Sequence, residues 1–226
     1  MQRLLLKTTP AVIFASGVAD STCQDQKYYD REHDLLKETI SYSKKTQKIL
    51  VYFSSAGAVY GNCDEHKSED SKLNPAGSYG FNKVISEKLI TESGVDYLVL
   101  RVSNLVGRNQ NMKQLIPYLV NNAINGKVQI YSDATRDILD VEDLAKWTCL
   151  LLSKVSKSEI VNMASGISVS IIDILNEILM ILQINAGIEV VKGGDRHSFS
   201  VNKLQKYINN RTDHNYWKKI LIKYVT

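Results

Sequence analysis

Residues 49–61 have the sequence ILVYFSSAGAVYG, an unbroken apolar run followed by serines, small residues and a final glycine. Five consecutive apolar residues, Ile49–Phe53, are typical of a β-strand that is covered on both faces. Strands of this kind occur in parallel sheets, in which ligands bind at the carboxyl ends of the strands. Ser54 and Ser55 follow directly at that end, so this stretch predicts both a fold class and the place of a site.

The rest of the chain alternates strand patterns with helical patterns. Short β-branched or apolar runs predict further strands at residues 11–15, 97–101, 128–131, 159–163 and 188–191. Two short helices are expected near the end, and longer amphipathic stretches predict helices at 24–44, 78–93, 112–125, 141–152 and 168–183. Strands that alternate with helices imply parallel βαβ units with right-handed crossovers. We therefore expect an α/β fold around a parallel sheet.

A second motif, Tyr79-Gly-Phe-Asn-Lys83, begins the helix that follows the serine-ended strand. Tyr79 and Lys83 are four residues apart and lie on the same helix face. An ammonium close to a tyrosine hydroxyl favours the phenolate, so we expect Lys83 to lower the pKa of Tyr79 from about 10. Tyr79 would then exchange protons near neutral pH beside a serine hydroxyl of the strand end. The alternative is an ordinary surface pair, since about one chance match to this spacing is expected in such a chain.

Composition argues against several classes of protein. The apolar fraction is 44% and the net charge of +4 is spread along the chain, so we expect a globular fold and no nucleic-acid partner. Cys23, Cys63 and Cys149 form no CxxC or Cys/His cluster, which indicates free thiols and no metal site. No segment has the 18 or more apolar residues of a membrane span, and residues 7–10 interrupt the apolar start that could pass for a signal peptide. We expect a cytoplasmic protein with no membrane partner.

Four motifs, taken in order, resemble the extended short-chain dehydrogenase/reductase family: VYFSSAGAVYG, SYGFNK, LVLRVSNLVG and RDILDVEDLA. The resemblance extends from Ala11 to about Ile208. Family members are NAD-dependent epimerases, dehydratases and reductases of sugar nucleotides, and their fold implies a partial Rossmann-like, doubly wound parallel sheet with a small C-terminal α/β part. The implied division is a core at 1–155, including a substrate-binding insertion at 102–140, and a C-terminal substrate-binding region at 156–226.

The resemblance implies roles for particular residues. Tyr79 resembles the family's acid/base tyrosine, and Lys83 resembles the partner lysine that also holds the nicotinamide ribose. Ser55 is a candidate for the hydroxyl that holds the substrate. The remaining candidates are Ala15, Ser16, Gly17 and Ser54 on the cofactor side, and Asp195 and Arg196 near the nucleotide of the substrate.

Two further residues are implied on the substrate side. Asn104 resembles an asparagine near the bound sugar nucleotide, with a turn cap as the alternative. Arg136 resembles an arginine that faces the substrate diphosphate, a role that suits a bidentate phosphate binder. The alternative for Arg136 is a surface network with Asp137 or Asp140.

One departure from the family pattern concerns the serine. The family places its catalytic Ser or Thr four residues before the tyrosine of the VYG piece, where this chain has Ala56. Ser55 can replace it if a bulge at Gly57 turns it inward; otherwise the site has no such hydroxyl. Dehydratases of the family add an acidic pair after that position, and Gly57 and Ala58 make a dehydratase the least expected activity.

A second departure is that the chain has no GxxGxxG turn, whose N–H groups hold the cofactor pyrophosphate in the family. Residues 11–18 resemble the family's fourth strand and the loop after it. We therefore expect an N-terminally truncated form in which NAD or NADP binds weakly.

These features together predict an NAD(P)-dependent epimerase or 4-keto reductase of a nucleotide-linked sugar, for surface polysaccharide or glycan biosynthesis. The alternative is a non-catalytic homologue that binds a sugar nucleotide, or serves as an interaction module, without tight cofactor binding. The family also dimerises through the helices that match residues 24–44 and 78–93, so we expect a homodimer through them.

Overall fold

A computed structural model describes residues 10–63, 65–155, 158–209 and 212–225. Within these ranges the helices are α1 (Gln26–Thr46), α2 (Ala56–Tyr60), α3 (Gly77–Thr91), α4 (Leu115–Ile124), α5 (Val141–Lys154), α6 (Ile171–Leu182), α7 (Asn202–Tyr207) and α8 (Tyr216–Val225). The strands are β1 (Ala11–Phe14), β2 (Ile49–Ser55), β3 (Tyr97–Val102), β4 (Asn104–Val106), β5 (Lys127–Tyr131), β6 (Thr135–Arg136), β7 (Ile138–Asp140), β8 (Glu159–Met163), β9 (Val169–Ser170) and β10 (Gly187–Val191).

The main sheet has four parallel strands in the order β1-β2-β3-β8. Helix α1 connects β1 to β2, and α3 precedes β3, so consecutive strands are joined by helical crossovers. The predicted parallel α/β fold is confirmed. Strand β8 pairs with β3 in this sheet, although the division proposed from the sequence assigns it to the C-terminal region, and that division stays a prediction.

Strand β2 is apolar from Ile49 to Phe53 because both faces of the sheet are covered there. Successive side chains of a strand point to opposite faces. Ile49 and Val51 pack in the cluster that includes Trp147 of α5, whereas Leu50 and Tyr52 pack in the cluster formed with α1 and α3. This packing brings Tyr52 against α1, which positions one wall of the site described below.

A second core lies under the remaining strands. It is formed by α4, α6, α8 and the strands β5 and β7, with Ile174, Leu175 and Ile178 of α6 fully buried at its centre. Strand β5 pairs with β10 and β4 with β7, both in parallel, whereas β6 and β9 are antiparallel. Among the described residues, no helix combines the length and apolarity that crossing a bilayer requires.

Candidate active site

A cleft of about 570 Å³ opens at the carboxyl ends of β1, β2 and β3. Its walls come from both cores, since Ser55, Tyr79 and Lys83 belong to the main sheet and its helices, whereas Asn104 and Arg136 lie on β4 and β6. The volume lies in the range of small-molecule sites, roughly 300–1,000 Å³. The structure thus brings together five of the candidate residues, which lie up to 81 positions apart in the sequence.

Ser55 and Tyr79 face each other in this cleft. Ser55 is the last residue of β2, paired in regular register with Val102, and α2 begins at the next residue. The bulge at Gly57, one of the two alternatives for Ser55, does not occur, because Gly57 lies in the helical turn of α2. The Ser55 side chain nevertheless lies close enough to Tyr79 to lower the pKa of its hydroxyl. Both hydroxyl-bearing residues therefore line the same cleft.

Tyr79 does not have the lowered pKa that the sequence predicted. The pKa of Tyr79 is raised to about 12. Burial is the largest cause, the nearby Ser55 side chain lowers the pKa, and the charge of Glu32 raises it. Lys83 lies over the Tyr79 ring, with Nζ 5.6 Å from the ring centroid. Its hydrogen bonds go instead to Glu32 Oε1 at 3.0 Å and to the Tyr52 hydroxyl at 3.2 Å. The expectation is wrong chiefly because Tyr79 is buried, and the Lys83 ammonium that was expected to lower its pKa pairs with the Glu32 carboxylate instead.

The end of the cleft near β1 holds the candidates on the cofactor side. Ala15 and Gly17 line the cleft, and Ser16 lies exposed between them. A Cβ at Gly17 would come within 2.9 Å of both Glu32 Oε1 and Lys83 Nζ, so this loop covers the buried ion pair closely. Ser54 also borders the cleft, but its hydroxyl donates to Glu87 Oε1 at 2.6 Å, away from Tyr79.

Arg136 is on the substrate side of the cleft. Its Nη1 donates to the backbone oxygens of Thr135 at 2.8 Å and Asp195 at 2.7 Å. No salt bridge of Arg136 occurs within the described residues, and burial lowers the pKa of its guanidinium while Asp195 raises it. The alternative role of Arg136, a surface network with Asp137 or Asp140, is wrong. Asp137 accepts hydrogen bonds from the backbone of two other residues, and Asp140 pairs with Lys223.

The other substrate-side candidates are placed differently. Asn104 begins β4, where its N–H donates to Asp137 O at 3.1 Å, and it lines the cleft without capping a helix. Asp195 and Arg196 are exposed and are not among the residues that line the cleft. Asp195 supports Arg136 through its backbone oxygen, and the Arg196 N–H donates to Asn62 Oδ1 at 2.8 Å.

Two residues beside the site, Glu32 and His197, were not predicted from the sequence. Glu32 interrupts the buried stripe of α1, which otherwise holds Tyr29, Leu36 and Ile40, and a charged residue at a core-facing position was a signal that it has a partner. His197 fills the space over Gly57, where a Cβ would overlap its ring. Burial and the charge of Arg136 lower the pKa of His197 to about 3, so it is neutral. No sequence pattern indicated its position.

Comparison with known proteins agrees with this geometry. Residues 2–164 match the family model described as "NAD dependent epimerase/dehydratase family". The chain is 28% identical over 187 residues to a UDP-glucose 4-epimerase of Lactobacillus helveticus, covering 71% of this chain and 57% of that protein. It is 32% identical over 140 residues to a dTDP-4-dehydro-6-deoxyglucose reductase of Escherichia coli, covering 58% of this chain and 44% of that protein. The chain thus spans about half the length of these relatives.

The fold is also similar to solved structures. DesIV, a dTDP-glucose 4,6-dehydratase of Streptomyces venezuelae solved with NAD and TYD bound, superposes with a TM-score of 0.82 at 19% identity. The match covers 96% of this chain and 72% of DesIV. At this identity the likeness establishes the shared fold, and the Rossmann-like architecture expected from the sequence is confirmed.

Proposed function

The chain belongs to the NAD-dependent epimerase/dehydratase family, and from that premise we propose that it acts at C4 of a nucleotide-linked sugar, as an epimerase or 4-keto reductase. The observation that carries the proposal is that Ser55 and Tyr79 lie side by side in a cleft that also holds Lys83 and Arg136. We further propose that the product serves polysaccharide or glycan biosynthesis, since nucleotide-linked sugars are the family's substrates. The absence of acidic residues at Gly57 and Ala58 favours these two activities over dehydration.

The residues at the β1 end of the cleft fit the nicotinamide-ribose end of a dinucleotide. The loop from Ala15 to Gly17 borders the cleft beside Lys83, whose ammonium is a donor that suits the hydroxyls of a ribose. Tyr79 and Lys83 would hold that ribose; the matching family model is described as NAD dependent, and DesIV was solved with NAD bound. When bound, the dinucleotide supplies hydride transfer, and the protein supplies orientation and proton transfer.

Proton transfer would fall to Tyr79. Its hydroxyl lies beside Ser55 in the cleft, so a sugar oxygen that reaches the cleft can be held by both hydroxyls. Because Tyr79 keeps its proton at neutral pH, it can donate that proton to an oxygen that gains negative charge. Ser55 would hold the same oxygen without changing its own protonation state.

Arg136 would bind the diphosphate of the substrate. A buried guanidinium without an anionic partner costs free energy because it has lost its hydration. A phosphate anion offsets this cost with bidentate hydrogen bonds to the guanidinium. Two backbone carbonyls orient one of its nitrogens, and hydrogen bonds from Nε or Nη2 are not found within the described ranges. The remaining donors can therefore face an anion in the cleft.

We expect Arg136→Met to weaken the binding of a nucleotide sugar about 10- to 100-fold, since hydrogen bonds to charged groups contribute about 1.5–3 kcal/mol. Isothermal titration calorimetry with UDP-glucose and dTDP-glucose measures the effect. The matched control is Arg108→Met, because Arg108 is exposed and lies outside the cleft. If neither nucleotide sugar binds the wild type, the proposal is wrong; an equal loss in both variants would remove Arg136 from the binding site.

A homodimer through α1 and α3 is also proposed. Tyr28, Leu35 and Tyr42 recur every seven residues on the exposed side of α1, and Phe81 and Ile85 are exposed one turn apart on α3. Adjacent apolar faces of this kind mark protein interfaces, and a two-fold axis would pair each with its own copy. A monomeric mass in light scattering at micromolar concentration would contradict this assembly.

A further inference from the structure

The buried pair of Glu32 and Lys83 lies directly behind the proposed acid/base tyrosine. Glu32 and Lys83 are each 4% exposed, and their side chains meet at 3.0 Å. Glu32 Oε2 also accepts from the Val18 N–H at 2.7 Å, and Oε1 accepts from the Tyr52 hydroxyl at 3.1 Å. Three donors from three parts of the chain therefore hold the carboxylate in one place.

The arrangement directs the lysine charge away from the tyrosine hydroxyl. Lys83 Nζ bonds Glu32 and Tyr52, whereas Tyr79 receives only a contact of the ammonium with its ring, 5.6 Å from the centroid. In a buried site an opposite charge at hydrogen-bond distance cancels most of the field that an ammonium exerts on a third group. A tyrosine beside a neutralised pair behaves as one with no cation nearby.

We propose that Glu32 is a positioning residue that holds Lys83 away from the Tyr79 hydroxyl and thereby keeps Tyr79 a proton donor. This inference rests on the proposed function of the cleft and adds that the reaction is a reduction at C4. A site whose tyrosine starts protonated gives its proton to a carbonyl oxygen that becomes a hydroxyl, as 4-keto reduction requires. Abstraction of a proton from a sugar hydroxyl, the first step of epimerisation, requires the phenolate instead.

The surroundings of Tyr79 are consistent with this role. The titratable groups around it are Glu32 and Tyr29 on α1, Tyr52 on β2 and Lys83 on α3. Burial is the largest cause that raises the pKa of Tyr79 to about 12; Ser55 lowers this pKa, and Glu32 is the one of these neighbours whose charge raises it. Tyr29 and Tyr52 are neutral near pH 7 because burial raises their pKa values as well. Lys83 is thus the one cation among these neighbours, and Glu32 is the group that neutralises it.

The test is the titration of Tyr79 followed by NMR of protein labelled with ¹³Cζ-tyrosine, with the resonance assigned by its loss in Tyr79→Phe. Glu32→Gln removes the charge but keeps an oxygen that can accept from Val18 and Tyr52. We expect wild-type Tyr79 to stay neutral up to pH 10. In Glu32→Gln the Tyr79 resonance should move toward the phenolate position by pH 10, because the titration midpoint falls by about 1–3 pH units. Glu38→Gln, an exposed change on the same helix, should leave the resonance unchanged.

A folded Glu32→Gln protein whose Tyr79 resonance follows the wild type to pH 10 would overturn the proposal. If Glu32→Gln does not fold, Lys83→Met replaces it. Loss of a lysine that is already neutralised should leave Tyr79 neutral, as in the wild type. The inference would be overturned if wild-type Tyr79 formed the phenolate below pH 10 and Tyr79 of Lys83→Met did not. That result would show that Lys83 lowers the pKa of Tyr79 directly. Neither outcome depends on turnover, so failure of this inference is distinguishable from failure of the proposed function.

Discussion

Replacement of Tyr79 by phenylalanine is expected to lower turnover about 10²–10⁴-fold, the usual loss when a positioned acid/base group is removed. The change deletes one hydroxyl, which lies beside Ser55 in the cleft. Ser55 borders the open cleft, so its hydroxyl can bind water when Tyr79 is replaced. The fold and the affinity for the nucleotide sugar should therefore be retained, because the hydroxyl matters only when a proton moves.

The measurement is kcat with a nucleotide sugar that the wild type converts, together with the dissociation constant from calorimetry. Tyr118→Phe is the matched control, since Tyr118 is 40% exposed on α4 and does not line the cleft. Unchanged kcat in Tyr79→Phe would place the chemistry on another residue. A loss of affinity equal to the loss of kcat would instead assign Tyr79 to binding.

Replacement of Arg101 by methionine is expected to cost about 3–5 kcal/mol of the free energy of unfolding, the usual effect of leaving a buried charge unpaired. Arg101 is 3% exposed, and Glu87 is 4% exposed. The guanidinium donates to Glu87 Oε2 from Nη2 at 2.7 Å and to Glu87 Oε1 from Nε at 3.1 Å. Glu87 also accepts a hydrogen bond from the Ser54 hydroxyl. Without Arg101, the Glu87 carboxylate would keep this bond and lose those from the guanidinium.

Urea unfolding of the wild type and the variants measures this loss. Lys127→Met is the control, because the Lys127–Glu189 pair is exposed and such pairs contribute less than about 1 kcal/mol. The double variant Arg101→Met/Glu87→Leu should regain part of the stability, since it buries no charge. A loss below about 1 kcal/mol in Arg101→Met alone would mean that water reaches Glu87.

The Arg101 network also explains how the site keeps its shape. Arg101 Nη1 donates to the Tyr60 hydroxyl at 2.8 Å and to the Glu69 backbone oxygen at 3.1 Å, so it ties α2 and the following loop to β3. Glu87 holds Ser54, the residue before Ser55. The Ser55 hydroxyl thus lies at the end of a strand whose preceding residue is held in place by the buried Arg101–Glu87 ion pair.

The sequence was sufficient for the parts of the molecule that local patterns determine. The run Ile49–Phe53 predicted a strand covered on both faces, and the two clusters that flank β2 confirm it. The spacing of Tyr79 and Lys83 placed both side chains on one face of α3, and the structure places both on the cleft. These features depend on periodicity and on neighbours in the chain, which one sequence contains.

The electrostatics of the site could not be predicted, because they depend on pairs that are distant in sequence. Glu32 and Lys83 are 51 residues apart, and their contact requires α1 and α3 to pack on the same face of the sheet. His197 and Gly57 approach through the packing of the C-terminal part against α2. A residue spacing indicates which side chains share a helix face, but it does not indicate which charge a lysine meets across the core.

The most direct test of the account is conversion of a nucleotide sugar by the wild-type chain. The protein would be incubated with NAD or NADPH and with UDP- and dTDP-linked hexoses, including 4-keto forms, and the sugar analysed by NMR. We predict a changed configuration or oxidation state at C4, and none with Tyr79→Phe. A nucleotide sugar that binds in calorimetry but is recovered unchanged at C4 with either cofactor would contradict the account and favour a binding protein without catalysis.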